Sequence, residues 1–469
     1  MVTTKPFIDK MTAAGMNSAV IDTFIGYYEK FLAGDRGMLT HDTISPTSED
    51  HVEKYENLPE ADVSLFSTLA VCKLNGGLGT SMGLTKAKSL LPVFPGDSEN
   101  DDSISFLDIT INQLLTIKEK EKVAPKFLLM NSYNTEADTL LAIEKYNLKE
   151  YQDIDITFTQ NKYPRITKAD NTLFQPEDEQ KSWNPPGHGD IYTALYGTGI
   201  LDKLIDSGTK YLFVSNSDNL GATPDSQILT WITNEKIPFL MEVCRRTDMD
   251  KKGGHLAQDH QGQLLLREVA QCPAEEIDEF QDINYFSYFN TNSLWINLDV
   301  LKERLVKHKY RMDLPLIVNP KVVDGIDVIQ LETAMGAAIS VFADSKAIEV
   351  PRSRFRPVKK TDELMLYWAG VFNLDRDYNV VLNEHLTEVP TIKLDPEYFK
   401  TVDQLYARIG KNMPDLRKCS SLNITGNIVF GENVSISGDL IIYGDEHEYV
   451  LKDKNLEGMI VCNSSRKVK

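Results

Sequence analysis

The sequence predicts an α/β fold built on a mixed, mainly parallel sheet, followed by a short left-handed β-helix module at the C-terminal end. Three observations predict it. From about residue 66 onward, short apolar runs alternate with helical stretches, the pattern of strands joined by helical crossovers. Several of these runs end in Gly, Asn or Asp, which suit the carboxyl ends of parallel strands, where such sheets bind ligands. In the tail, Leu422, Ile428, Val434 and Leu440 recur every six residues, and so do Ile424, Phe430, Ile436 and Ile442, a hexad period that suggests a β-helix.

The elements follow in order. Residues 8–32 read as helix, because Val20, Ile21, Phe24, Ile25, Tyr28, Phe31 and Leu32 recur at three- and four-residue spacing. Residues 40–60 are polar, contain Pro46 and Pro59, and read as a connector. Leu69–Leu74, Phe127–Met130, Ile154–Phe158 and Tyr211–Val214 read as strands, with Leu107–Lys118 and Thr135–Tyr146 as helices between them. Gly426, Gly431 and Gly438 fall near the corners of the tail's hexads. Its rungs are too few for an acyltransferase β-helix, so the tail is expected to pack on a neighbour and to serve structure or oligomerisation. The division expected is a helical segment at 1–60, an α/β domain at 61–375 and a β-helix domain at 376–469.

Composition bounds the function. The 469 residues contain 42% hydrophobic and 25% charged residues, which excludes a mostly disordered chain. Apolar runs such as Leu364–Ala369 are far shorter than the roughly 20 residues of a membrane helix. The first residues lead into no apolar signal core. Five scattered cysteines without a CxxC pair suit neither a disulfide framework nor structural zinc, so a reducing, cytoplasmic setting is expected. The net charge of −19 argues against nucleic acid and anionic membranes as partners. An anionic ligand must therefore meet a local concentration of bases.

Two such concentrations exist. Leu74-Asn75-Gly76-Gly77-Leu78-Gly79-Thr80-Ser81-Met82-Gly83 follows a predicted strand, and Lys86 and Lys88 come next. Glycines there let backbone N–H groups approach phosphate oxygens. The loop lacks the closing GK[ST] of a Walker A motif, and its glycine spacing is one residue too long for a dinucleotide fingerprint. Lysines suit a triphosphate instead. The second is Arg352, Arg354 and Arg356, which an extended segment would place on one face, followed by Lys359 and Lys360. Charge alone leaves open a phosphate site or a solvated edge. Asp218 ends a predicted strand, and a carboxylate there suits either Mg²⁺ or an ordinary strand-end turn. His188 sits between Gly187 and Gly189; a lone histidine suits a structural role, and flanking glycines in a loop favour its presentation to a ligand. Lys251-Lys252-Gly253-Gly254 reads as a flexible loop, a candidate lid.

The glycine loop with Lys88-Ser89 resembles the signature of the eukaryotic-type UTP–glucose-1-phosphate uridylyltransferases. Further blocks agree in order: Leu129-Met130-Asn131-Ser132-Tyr133-Asn134-Thr135, Gln160 before Tyr163-Pro164-Arg165, Pro185-Pro186-Gly187-His188-Gly189-Asp190, Val214 to Ala222, Asn290-Thr291-Asn292, and Val350 to Phe355 with Pro357-Val358-Lys359. Two positions depart: Lys88 follows Lys86-Ala87 where the family has Gly-Pro, and Ser217 stands where it often has an apolar residue. The resemblance implies a nucleotidyltransferase, Rossmann-like catalytic domain that forms UDP-glucose and pyrophosphate from UTP and glucose 1-phosphate. Galactose 1-phosphate or another hexose 1-phosphate is the alternative acceptor. It implies Lys88 and Lys359 as catalytic, and Leu74, Asn75, Gly76, Gly77, Lys88, Met130, Gln160, Gly187 and Lys359 at UTP. His188, Asn216, Asn219, Gly253, Glu268 and Asn292 are implied at the sugar phosphate, and Asp218 at Mg²⁺, with Asp190 and Glu332 as weaker carboxylates. A homo-oligomer through the tail is a further expectation.

Overall fold

The structure, a computed structural model, describes residues 3–94, 103–410 and 412–462. Its central strands form where the sequence is apolar on both faces. Leu69, Ala70, Val71 and Cys72 are completely buried. Alternate side chains point to opposite faces. Ala70 and Cys72 pack with Leu128, Leu212 and Val214 in one layer, and Leu69 and Val71 pack with Phe127, Leu129 and Phe213 in the other.

Eight strands run across the main sheet: β1 (Val52–Lys54), β2 (Leu69–Asn75), β3 (Lys126–Asn131), β4 (Thr157–Thr159), β5 (Tyr211–Asn216), β6 (Phe239–Arg245), β7 (Tyr288–Asn297) and β8 (Lys346–Glu349). Their spatial order is β1-β8-β6-β7-β5-β2-β3-β4. Every pairing along it is parallel except the two made by β7. The carboxyl ends of β2, β3, β4 and β5 therefore share one edge of the sheet, and the reversed β7 brings its start to that same edge. Chain reversal at that edge is where such sheets bind ligands.

The expected helix at the N-terminus is two helices, α1 (Lys5–Ala13) and α2 (Ser18–Leu32). Gly15, at φ +72°, breaks the run, and the Asn17 side chain caps the new start. The 40–60 connector carries two short strands. Ile44–Pro46 pairs with the His255–Asp259 strand, and β1 joins the sheet edge beside β8. Pro46 is tolerated because an edge strand needs no donor on its outer side. Of the expected 154–158 strand only Thr157–Thr159 forms, while Ile154 fills the core from the preceding loop.

In the tail, β9 (Thr391–Lys393), β10 (Asp415–Thr425), β11 (Val434–Tyr443) and β12 (Lys454–Val461) lie side by side, all parallel. Ile428–Phe430 and Tyr449–Leu451 make a second parallel pair. All eight hexad residues are buried in one cluster, together with Met365 and Tyr367 of the helix Thr361–Trp368 and with Phe399. That cluster also takes in Met82 of the glycine loop and Val358, next to Lys359. The tail thus packs directly against two walls of the site edge.

Candidate active site

The glycine loop leaves β2 at Asn75, whose amide donates to Asn131 Oδ1 (2.7 Å) and to Thr139 Oγ1 (2.9 Å), locking the ends of β2 and β3 together. The loop then doubles back: the Lys88 N–H donates to the Gly77 carbonyl (2.9 Å). Gly79 sits at φ +65°, and a Cβ there would lie 2.8 Å from Leu84 Cδ1. Only glycine fits so tight a return. The reversal brings the Lys88 ammonium to Asp218 Oδ2 (2.5 Å) in the turn after β5.

That turn is the hub of the site. Ser217 N–H donates to the Leu74 carbonyl (3.2 Å), and the Asp218 carbonyl accepts from Val358 N–H (3.2 Å), one residue before Lys359. Asn219 is buried, and its amide serves the chain itself: Oδ1 accepts from Arg356 N–H (2.9 Å) and Nδ2 donates to the Arg354 carbonyl (3.1 Å). Both lysines expected to touch phosphate are thus tied to one turn. Lys359 itself is exposed.

The arginine segment differs from its expectation. Arg352–Arg354 is a 3₁₀ turn, not an extended strand, so its three guanidiniums diverge instead of sharing a face. Arg354 enters the core and binds Glu242 through Nε (2.8 Å) and Nη2 (2.7 Å). Arg352 reaches Asp250 (2.9 Å), and Arg356 turns toward the Val380 carbonyl (2.5 Å). Each finds a protein acceptor; for Arg354, which is buried, that partner is obligatory, because a desolvated guanidinium needs one.

On one side of the loop, Gln160 follows β4, with its N–H on the Asn131 carbonyl (2.8 Å) and its side-chain amide 3.2 Å from the position a Cβ on Gly76 would take. The Gln160 amide and the Gly76 backbone face each other here, next to Met130 at the end of β3. Opposite, β7 bulges against β6 between Glu242 and Val243. Asn292 adopts φ +62°, a conformation asparagine tolerates, and its Nδ2 donates to Asn216 Oδ1 (3.1 Å). Asn290 N–H donates to the Gly254 carbonyl (3.0 Å), and Glu268 oxygens would stand 2.6 Å from a Cβ on Gly254. Gly254, Glu268, Asn290, Asn292 and Asn216 thus form one polar wall, and Gly253 lies one residue before it with its N–H on the Asp250 carbonyl (2.9 Å). Burial raises the Glu268 carboxyl, and Lys359 opposes that rise.

His188 lies on a loop gripped by Thr333; a Cβ on Gly187 would sit 2.4 Å from the Thr333 carbonyl oxygen. Its Nδ1 accepts from the Met335 N–H (2.9 Å), so Nε2 carries the proton. Burial pulls the imidazole down to about 4. Histidine is thus a neutral donor there.

The fit of a metal can be tested on Asp218. Its Oδ1 is buried without a hydrogen-bond partner among the described residues. Mg²⁺ takes one or two protein carboxylates and fills its shell with phosphate oxygens and water. One carboxylate oxygen without a protein donor fits that donor set. The other two carboxylates are engaged elsewhere. Asp190 is buried, raised to about 7 by desolvation, and accepts from Asn161 N–H (2.6 Å) and Nδ2 (2.8 Å). Glu332 accepts from Asn319 Nδ2 (3.0 Å). Among the described residues no group of three or more His, Cys, Asp or Glu forms a metal cage.

The profile of the UTP–glucose-1-phosphate uridylyltransferases matches residues 21–437. The chain belongs to this family. It is 40% identical over 424 residues to UTP–glucose-1-phosphate uridylyltransferase 2 of Dictyostelium discoideum, covering 88% of this chain and 82% of that one. The barley (Hordeum vulgare) enzyme is 39% identical over 430 residues, covering 89% and 88%. A variant of Leishmania major UDP-glucose pyrophosphorylase, solved in complex with UDP-glucose, superposes with a TM-score of 0.90 at 37% identity, covering 98% of this chain and 99% of that one. The Trypanosoma brucei structure gives a TM-score of 0.88 at 37% identity, with coverage of 98% and 99%.

Against the frame of this uridylyltransferase family, sequence reading passed over three residues that shape the site. Lys73 is buried inside β2, Glu242 holds Arg354, and the Met335 N–H sets the His188 tautomer. Only Lys73 carried a signal, a charge inside an otherwise apolar strand. The other two depend on contacts between distant segments.

Proposed function

We propose that this chain transfers a uridylyl group from UTP to glucose 1-phosphate, releasing pyrophosphate. The observation that carries the reading is the single turn Asn216–Asn219, which joins the lysine of the glycine loop to the segment bearing Lys359 at the ligand edge of a family-typical sheet. Both reactants are anions, so the reaction needs charge neutralised and a line of attack held. The attacking sugar-phosphate oxygen is already ionised, so no general base is required.

Leu74 and Asn75 at the strand end and the backbone of Gly76 and Gly77 line the nucleotide side, with Met130, Gln160 and Gly187 around the base. An amide such as Gln160 offers a pyrimidine edge both a donor and an acceptor. Lys88 faces the α-phosphate, and Lys359 approaches from the other side of the same turn, so each stabilises charge at the transferred phosphorus. His188 donates through Nε2 to the sugar phosphate. Asn216, Asn292, Glu268 and Gly253 offer the acceptors and donors that a hexose ring requires, while Asn219 acts by holding the 354–356 segment. Mg²⁺ held by Asp218 would neutralise phosphate charge.

The parallel strands of the tail and their hexad core support reading residues 376–469 as a β-helix domain, beside a helical segment at 1–60 and a catalytic domain at 61–375. Val450, Met459 and Val461 are well exposed on the tail and would suit a homo-oligomer contact. Five free cysteines suit a cytoplasmic setting. No helix among the described residues is long and apolar enough to cross a membrane.

The test is pyrophosphate release with UTP, Mg²⁺ and glucose 1-phosphate, with galactose 1-phosphate and ATP in parallel. Release is expected only when UTP, Mg²⁺ and the glucose ester are all present. Equal or faster release with galactose 1-phosphate would sink the glucose reading.

A further inference from the structure

Lysine is almost never fully buried without a dedicated partner, because desolvating an ammonium costs several kcal/mol. Lys73 is 3% exposed, in the middle of β2, with β5 on one side and β3 on the other. Burial lowers its ammonium to about 7, against attraction from Glu242 and Asp218 and with repulsion from Arg354. If this position only filled the core, a methionine or leucine would do so without that cost.

What the ammonium touches is specific. Nζ donates to Ser215 Oγ (2.8 Å) and to the Ala222 carbonyl (2.7 Å). Ser215 is the register partner of Lys73 and the penultimate residue of β5; Ala222 lies on the far side of the turn that follows. Both are buried. The lysine therefore closes the base of the segment 215–222 from inside the sheet. Within that segment stand Asn216, Asp218 and Asn219, and through them Lys88, Val358 and Arg356 are held.

We propose that Lys73 is a positioning residue of the reaction: its buried ammonium ties Ser215 to Ala222 and so fixes the turn that presents Asp218 to the phosphates and their metal. The inference rests on the reading of Asp218 given above. Lys73 touches no substrate in this role. It acts through the orientation of a carboxylate whose free oxygen has to meet a cation.

Residues that orient a metal ligand typically change metal affinity or turnover by about 10–100-fold when removed. Lys73→Met keeps an unbranched apolar stem, one atom shorter, and removes the donors. In this variant kcat is expected to fall by about 10–100-fold, and Mn²⁺ binding in the presence of saturating UTP, read by electron paramagnetic resonance, to weaken by about tenfold. The KM for glucose 1-phosphate should change by less than about threefold, because only Asn216 of the polar wall lies in the tied segment while Asn292 and Glu268 stand outside it; general unfolding of the site would move KM, kcat and Mn²⁺ together. Ser215→Ala removes one of the two anchors and keeps the fold if Lys73→Met does not; about threefold weaker Mn²⁺ binding is expected. Asp218→Asn is run beside them, and Lys73→Met should add little on top of it, since both act through one carboxylate. If Asp218→Asn weakens Mn²⁺ binding while Lys73→Met, or Ser215→Ala in its place, binds Mn²⁺ and turns over as the unmodified enzyme does, the role of Lys73 is refuted and that of Asp218 stands. If Asp218→Asn leaves Mn²⁺ binding unchanged, the metal reading falls and the inference falls with it.

Discussion

The chain has two concentrations of basic residues, and they end differently. In the glycine loop, Lys86 and Lys88 are two charges among backbone turns; one is exposed and the other meets Asp218 at the carboxyl edge of the sheet. Between residues 352 and 360 five bases crowd into nine positions, yet the three guanidiniums go to Glu242, Asp250 and a carbonyl. Lys359 and Lys360 are exposed there, and Arg352 is exposed too but already holds a carboxylate. Density of charge along a sequence therefore does not identify a phosphate site. The difference lies in placement: the glycine loop carries Lys88 to the carboxyl edge of the sheet beside Asp218, whereas the guanidiniums are engaged in contacts away from it.

The sharpest way to break this comparison is Arg354→Met. If the guanidinium is structural, the change leaves Glu242 buried and unpaired, with only the Trp295 indole donating to it. Breaking one side of a buried pair costs about 3–5 kcal/mol, and urea unfolding should show a loss of that size. A stable variant with weakened UTP binding would return Arg354 to the phosphate site.

Lys359→Ala comes next. Removing a donor to developing charge costs about 10²–10³-fold in kcat, with stability changed by less than about 0.5 kcal/mol because the side chain is exposed. Single-turnover kinetics and a melting curve check both halves. An unchanged kcat would leave the 352–360 segment with no catalytic member and erase the contrast.

How much of this was legible in the sequence follows the same division. The strands were legible because burial on both faces leaves continuous apolar runs, and the hexad tail because its period is regular. Glycine loop, Asn216, Asp218 and Asn292 were legible as motifs. The break at Gly15 was not, since the apolar spacing continues across it. Nor was the divergence of the arginines, because it depends on Glu242 and Asp250, more than 100 positions away in the chain. Asn219 carried the same turn-forming signal as its neighbours, and only the fold reveals that its amide faces the Arg354–Arg356 backbone.

The His188 wall sharpens the comparison from the neutral side. An imidazole held at about 4 contributes stability that is fully present above its ordinary value near 6.5 and is withdrawn as pH falls toward 4. Asp190, raised to about 7, works the other way: its contribution is full below about 4 and is lost as pH rises through 7. Comparing melting temperatures of the unmodified chain and His188→Gln from pH 4 to 8 isolates the histidine. The expected result is a steeper loss below pH 6.5 in the unmodified chain, with parallel curves above it. A step in kcat/KM near 6.5 that vanishes in the variant would mean that His188 works as a cation, as the lysines do.

The smallest effect is expected at Arg352. Its pair with Asp250 is partly exposed, with the guanidinium side chain 45% accessible, and pairs of this kind contribute about 0–1 kcal/mol. Its other contacts are a long bond to the Arg245 carbonyl (3.3 Å) and the faces of Phe289 and Phe355. Asp250 keeps Thr247 as a partner when the arginine is gone, because Oδ2 accepts from the Thr247 N–H (2.9 Å) and hydroxyl (2.7 Å). Arg352→Ala should therefore shift stability by less than about 1 kcal/mol and leave kcat within about twofold. The loop that follows Asp250 carries Gly253, so under the sugar-site proposal a modest rise in the KM for glucose 1-phosphate is compatible with this prediction. A tenfold fall in kcat is not: it would mean that an exposed, paired guanidinium still reaches the reacting phosphates, and that charge density along the segment had been the better guide after all.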